Sequence, residues 1–466
     1  AGEVATAQVD FAATVGAMKP MHGVGQPPML GIDTNLFHYM TEAGVPYSRL
    51  HDVGGWHGGN MFVDIPNVFR DFDADENDPA NYDFAFTDIL IQGIVDSGVE
   101  PYYRLGVTIE NFFRVKQMRI HPPKDFAKWA RICEHVIRHC NEGWCGGHEW
   151  GIRYWEIWNE PDAQPDEKRS ESCQWQGTKA EFFEVYKIVA QHLKKRFPKL
   201  KIGGPALGFR QDWADEFLAY QEKAGTPIDF FSWHCYPFDE TTPVRHLPDL
   251  KEQLAKLGFG GAELHLDEWH YKPCSWGELQ TKEGWARWAE ETEDGLNGVD
   301  AGAFVAKAVT RWQTSGLSVA NYYMTTCFEP VWGLFTSKGE RRPTWWALKF
   351  LGALAEGTRV ADTSVGDVAV LAGVGRDGVK RLVVADFKGG TVRNTTIVGN
   401  TSTAQGGGLL LESKLVKVEN CVIAGNRSDS GESEIAGTPA AGSDGNAIGG
   451  DAAKSVDYTL SRWIAD

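Results

Sequence analysis

In Tyr154-Trp155-Glu156-Ile157-Trp158-Asn159-Glu160-Pro161-Asp162, a run of aromatic and β-branched residues breaks off into an Asn-Glu pair and a proline. Ile152 to Trp158 reads as a short buried strand. Pro161 forbids its continuation and biases Glu160 toward an extended backbone. A carboxylate placed there meets solvent where a strand ends, the seat of functional groups in a parallel α/β barrel. The plain alternative is a strand-to-turn transition whose Glu is merely solvated, so the reading depends on a matching second carboxylate.

That second acid lies in Leu264-His265-Leu266-Asp267-Glu268-Trp269-His270, again at the carboxyl end of an apolar strand. Period-two alternation puts neighbours on opposite faces, so only one of Asp267 and Glu268 is expected to point inward. Counting along the chain, the two acids close strands four and seven. Two carboxylates facing one another across a barrel mouth supply a glycosidase with its acid/base and its nucleophile, and a separation of about 5–5.5 Å implies retention of anomeric configuration.

The rest of the chain fits this frame. Short apolar runs near 19–24, 46–51, 99–106, 152–158, 200–205, 229–235, 262–268 and 319–325 alternate with amphipathic stretches, the pattern of βα units. Thr178 to Phe197 is the clearest helix, with apolar residues recurring on a 3.6-residue period and a Lys/Arg-rich end that complements the helix dipole. Pro123 to Cys140 and Ala301 to Gln313 read alike. No GxGxxG follows the first strand, so an α/β fold of the (β/α)8 TIM-barrel type is favoured over an open doubly wound sheet. The barrel is assigned to residues 15–356, and residues 1–14 plus 357–466 to an accessory β domain. Ala5 to Thr14 is strand-like and is expected to pair with that domain. Beyond residue 390, Val392–Asn400 and Val418–Asn426 share five of nine positions at an offset of 26. A β-sandwich with two similar strands is the favoured form, and a short parallel β-solenoid is the alternative.

Composition narrows the function. The 46 Lys plus Arg stand against 63 Asp plus Glu, a net charge of −17, which opposes binding to nucleic acid or to an anionic membrane. No apolar run is long enough to span a bilayer. The chain starts Ala1-Gly2-Glu3, as a processed export product or a trimmed chain does, so a secreted or periplasmic location is expected. The 18 Trp suit the faces of sugar rings as well as they suit a core. The eight Cys show no CxxC pairing of a zinc ribbon or redox motif. Cys140 and Cys145 are spaced to close a small loop, and Cys173 and Cys274 sit in polar segments, so one or two disulfides are expected; Cys235 and Cys327 read as buried thiols.

Tyr154 to Asp162, Trp233-His234-Cys235-Tyr236, Asp267-Glu268-Trp269, and Trp332-Gly333-Leu334-Phe335 followed by Pro343-Thr344-Trp345-Trp346-Ala347 together resemble the family 39 glycoside hydrolases. That family contains β-xylosidases and α-L-iduronidases. The resemblance covers residues 15–356 and implies Glu160 as general acid/base and Glu268 as nucleophile. It further implies that Asn159 bonds the sugar 2-hydroxyl, that Tyr236 orients Glu268, that His234 lines the pocket, and that Arg49 and His51 support the nucleophile and contact the sugar. Trp269 and Tyr323, at the ends of strands seven and eight, complete the expected substrate-binding set. Arg104 departs from the family, whose xylosidases carry an acid near this position, and the repeat after residue 390 departs from the family's sandwich.

The resulting expectation is a retaining, exo-acting hydrolase that removes terminal sugars (xylose, arabinose, uronic-type or related) from oligo- or polysaccharide, with no cofactor and no metal. Aromatic residues in the long insertions at 52–84, 107–122 and 270–298 (Trp56, Phe112, Phe113, Trp276, Trp285, Trp288) are placed to close one end of a cleft. An endo-acting glycanase of the same clan is the first alternative, and a carbohydrate-binding protein without catalysis the second. Oligomeric state is not legible in the sequence.

Overall fold

The structure, a computed structural model, describes residues 7, 9–28, 35–51, 63–108, 120–163, 174–208, 210–289, 294–325, 332–336, 338–376, 378–385 and 387, and beyond these the backbone of short strands between 391 and 448. After a first strand outside the barrel, β1 (Thr14–Ala17), eight parallel strands follow: β2 (Gly23–Gly25), β3 (Tyr47–Leu50), β4 (Glu100–Leu105), β5 (Tyr154–Ile157), β6 (Lys201–Leu207), β7 (Phe230–Cys235), β8 (Glu263–Trp269) and β9 (Val319–Tyr322). Pairing of Gly23 with Asn321 and of Val24 with Tyr322 closes β9 onto β2. The expected barrel is therefore the observed one, with Glu160 just past its fourth strand and Glu268 near the end of its seventh.

Alternation along each strand makes two cores. Inward residues Tyr47, Tyr102, Tyr154, Phe230 and Val319 fill the lower barrel, with the His265 ring stacked on Phe230 at 4.6 Å. Outward residues such as Trp155, Ile157, Phe231 and Leu266 pack beneath the surrounding helices. Helix Lys179–Arg196 begins at Thr178, whose hydroxyl and the Glu181 carboxylate form a reciprocal capping box, and ends in Lys194, Lys195 and Arg196. Helix Phe126–Glu142 is capped by the Asp125 side chain and stopped by Gly143 at φ 70°, where a side chain would be strained. No helix among the described residues is long and apolar enough to cross a membrane.

β1 leaves the barrel to join an antiparallel sheet in the order β1-β10-β11-β12, with β10 at Thr358–Val360, β11 at Ala369–Val374 and β12 at Lys380–Ala385. The discontinuous sheet was expected, but over Ala5 to Thr14. Residues 5, 6 and 8 lie outside the described residues; the strand β1 begins at Thr14 after a turn that Asp10 closes, accepting from the Ala12 N–H through its side chain and from the Ala13 N–H through its carbonyl. The sheet packs on helix Val299–Trp312, where the Phe304 and Phe387 rings meet at 5.5 Å and Arg311 donates to the Val368 carbonyl at 3.4 Å.

The favoured sandwich form is corrected over the repeat. Thr391–Arg393 pairs in parallel with Lys417–Glu419, Thr396–Val398 with Val422–Ala424, Thr401–Ser402 with Arg427–Ser428 and Leu409–Leu410 with Ile435–Ala436, each at an offset of 26 residues. Val422–Ala424 pairs onward with Ala447–Ile448 at an offset of 25. When the repeat period equals the pairing offset, like residues stack on like residues, which is the rung geometry of a parallel solenoid.

The disulfide expectation is also corrected: Cys140, Cys145 and Cys274 are free thiols. Cys140 lies on the buried face of its helix, whereas the chain reverses at Gly143 and turns the Cys145 thiol toward the Pro79 carbonyl, 3.5 Å away. Cys235 is half-buried, and Cys173 and Cys327 lie outside the described residues.

Candidate active site

The carboxyl ends of β3, β5, β7 and β8 bring the expected acids and their supports together around Arg49. This guanidinium is buried. Its Nε lies 2.7 Å from Glu156 Oε2 and 3.1 Å from Asp267 Oδ2, its Nη1 donates to Glu268 Oε2 at 3.0 Å, and its Nη2 donates to Asn159 Oδ1 at 2.6 Å. One cation thus ties the exit of strand four to the end of strand seven. Tyr236 adds a hydroxyl donated to Glu268 Oε1 at 2.5 Å. His234 Nδ1 lies 2.7 Å from Glu160 Oε1 and 3.6 Å from Glu268 Oε2, and one oxygen of each acid lies within 4.8 Å of the other.

Local backbone explains how the acids reach this point. Register breaks on both sides of β8, against β7 after Trp233 and against β9 after Leu266. Such a bulge lets two consecutive side chains face the same way. Both Asp267 and Glu268 therefore point inward to Arg49, against the expectation that only one would; Asp267 sits deeper. Trp269 then points outward. It is fully buried between Trp312 and Tyr322, at ring distances of 4.7 and 5.0 Å, so it belongs to the core beneath the helices and not to the sugar-contacting set. At the other acid, Glu160 has φ 42° and Trp158 φ 74°, so the chain turns left-handed where an extended backbone was expected before Pro161. This strain is held by partners on β6 and just beyond it: the Glu160 N–H donates to the Ala206 carbonyl at 2.7 Å, and the Asp162 carboxylate accepts from the Gly208 and Arg210 N–H groups at 2.8 Å each.

Neighbours separate the protonation of the acids. Burial pushes Glu160 up to about 7, against the weaker pull of Arg49 and of the Gln174 amide at 3.5 Å. Burial and the charge of Glu160 also raise Glu268, but His234, Arg49 and Tyr236 oppose them. Of the two, Glu268 alone touches a cation directly, a contact that favours its ionised form. His234 is lowered to about 4 by burial and is neutral near pH 7. Below them, burial acts on Glu156 too, but Arg49, Asp267 and Ser232 outweigh it and hold this carboxyl below its ordinary range. Asp267, buried beside that anion, is raised well above its own.

Around this centre, His51 is buried and held well below the ordinary imidazole range by burial and by Arg104 and Arg49. Tyr236, Tyr323, Trp276 and Trp332 form an aromatic wall, with Tyr236 5.1 Å from Trp276, 5.7 Å from Trp332 and 6.3 Å from Tyr323. Trp276 is 50% exposed. Trp288 instead packs on Cys274 and Leu279, and Trp56, Phe112 and Phe113 lie outside the described residues. Arg104 has its acid after all, from a different element: it donates to Asp64 at 2.7 Å. Sequence reasoning missed Glu156, Asp162 and Gln174. A charged residue two positions from Tyr154 in an otherwise apolar strand is the signal that marks Glu156; nothing local marks Gln174.

Residues 32–373 match the family described as glycosyl hydrolases family 39. The chain belongs to that family. Among its relatives, a β-xylosidase of Caldicellulosiruptor saccharolyticus is 31% identical over 227 residues, 47% of this chain and 42% of that protein. The chain thus spans less than half the length of this relative. Two solved structures share the fold: a glucosidase from Croceicoccus marinus (TM-score 0.67, 24% identity, 82% of this chain and 78% of that one) and a monomeric β-xylosidase from Caulobacter crescentus CB15 (TM-score 0.56, 19% identity, 79% and 77%).

Proposed function

We propose that this family 39 chain is a retaining, exo-acting glycoside hydrolase that removes a terminal neutral sugar by double displacement on Glu160 and Glu268. The observation that carries the reading is the approach of the two carboxylates to within 4.8 Å, one held by a cation and the other without one. In the first step Glu268 attacks the anomeric carbon while Glu160 delivers its proton to the departing glycosidic oxygen, leaving a glycosyl ester on Glu268. In the second, Glu160, now a base, takes a proton from water as the water displaces Glu268. Arg49 and Tyr236 fix the attacking carboxylate. Asn159 has its oxygen committed to Arg49, so what it offers a sugar 2-hydroxyl is its Nδ2 donor pair.

Relatives named as β-xylosidases support a β-xyloside as substrate, and a fold neighbour named as a glucosidase makes a glucoside the second candidate. The net charge of −17 favours a neutral sugar over a uronate. Arg104 is buried and paired with Asp64, so it is not presented to a sugar carboxylate. The test is hydrolysis across aryl β-xyloside, β-glucoside, α-L-arabinoside and α-L-iduronide, with proton NMR of the first-formed anomer. Fastest turnover of a neutral β-glycoside with the β-anomer released first is the expected result. Preference for the iduronide, or an α-anomer from a β-glycoside, contradicts it.

A further inference from the structure

On the outside of the barrel, at the edge opposite the acids, Asp88, His139 and His148 turn their ligand atoms to one point. His139 stands in the last turn of helix Phe126–Glu142, His148 in the following turn that leads into β5 from its amino-terminal end, and Asp88 in the first turn of helix Ala85–Asp96. One ligand atom of each lies within 4.8 Å of the others. Asp88 Oδ1 is shared: His139 Nε2 is 2.7 Å from it and His148 Nε2 3.5 Å. Tetrahedral zinc with its usual bond lengths keeps its ligand atoms about 3.3 Å apart, a spacing these two values bracket.

A second feature calls for a cation between them. His139 Nδ1 lies 3.0 Å from the Trp144 carbonyl, which has no proton to give, so Nδ1–H is the donor. In a neutral ring this leaves the Nε2 lone pair aimed at a carboxylate oxygen. Either a second ring proton or a metal ion must sit on that line. A backbone carbonyl fixing the far nitrogen is also the usual second partner of a metal-bound imidazole.

The surroundings are built rather than incidental. The His139 ring stacks on Phe84 at 3.6 Å and the His148 ring on Trp150 at 3.9 Å. The His148 N–H donates to the His139 carbonyl at 2.6 Å. A side chain at Gly147 would lie 2.1 Å from that same carbonyl, so only glycine lets the turn rest there. Trp150 Nε1 donates to Gln92 at 3.2 Å and ties the turn to the helix that carries Asp88.

We propose that Asp88, His139 and His148 bind a divalent transition cation of the zinc type, which staples the 143–151 turn to the neighbouring helix. Two imidazoles and one carboxylate suit zinc better than magnesium or calcium, and the 31% exposure of His148 leaves room for water at the remaining position. The same ligand types occur in Glu160, His234 and Glu268, so the experiment must tell the two places apart.

Zinc titrated into chelator-stripped, full-length protein is followed by calorimetry and by thermal melting, for the wild type, His148→Ala, Asp88→Asn and Glu268→Gln. One zinc bound at micromolar or tighter dissociation constant, with a raised Tm, is expected in the wild type and in Glu268→Gln. At least tenfold weaker binding and no Tm gain are expected in His148→Ala and Asp88→Asn. His148 sits on a half-exposed turn, so circular dichroism of His148→Ala should match the wild type. No zinc binding by the wild type would show that a proton alone bridges His139 and Asp88, and overturns the proposal. So does wild-type affinity in His148→Ala, or loss of binding in Glu268→Gln.

Discussion

Glu160 and Glu268 are the same amino acid in one pocket, and their neighbours bias them differently. Glu160, raised to about 7 by burial, is protonated below that pH and loses its proton above it. For aryl glycosides with poor leaving groups, kcat/KM should therefore fall as pH rises through about 7. Glu160→Ala should remove that limb and slow poor leaving groups by roughly 100-fold or more, while activated ones, which need no proton, lose far less. Equal losses across leaving groups would reverse the assignment. At this scale the sequence was informative where chemistry sits at a strand end: Glu160, Glu268, Asn159, Arg49, His234 and Tyr236 all meet in the structure. It misplaced Trp269, because a one-residue bulge shifts which side chains face inward. It overlooked Glu156 and its pairing with Asp267, because their effect depends on Arg49 reaching across from another strand.

Between elements, the exit of β5 is fastened to the exit of β6 by one side chain. Asp162, buried and raised to about 6, accepts from two backbone N–H groups, those of Gly208 and Arg210. Asp162→Ala removes the acceptor of two part-buried N–H groups, so a stability loss of about 1–2 kcal/mol in urea denaturation is expected, with a fall in kcat as the Glu160 turn loosens. Asp162→Asn keeps one acceptor oxygen and should lose about half as much. A loss below about 0.5 kcal/mol in the alanine variant would mean that the turn holds without this anchor. Helix limits were legible because their signals are local, as with the Thr178 and Glu181 capping box. The β8 bulge was not, since it arises from register against β7 and β9.

For the whole molecule, the barrel was legible from eight alternations of strand and helix, each within a short window. The accessory strands were harder. Parallel and antiparallel strands share the same local composition, so only the pairing offset of 26 distinguishes a solenoid from a sandwich. The antiparallel sheet is joined to the barrel through the buried Phe304, which touches Tyr271 and Phe387 at 4.8 and 5.5 Å. Phe304→Ala should destabilise by about 3–5 kcal/mol, with sheet and barrel melting at a lowered, single temperature. Two separated transitions with an unchanged barrel would show that the sheet is an independent unit.

The double-displacement reading stands or falls on where the sugar becomes attached. Incubation with an activated 2-deoxy-2-fluoro-β-glycoside, followed by proteolysis and mass spectrometry, reads this directly. One glycosyl residue on Glu268, absent when Glu268→Gln is treated alike, is the expected result. A label on any other residue, or an inverted sugar product with no label at all, would contradict it.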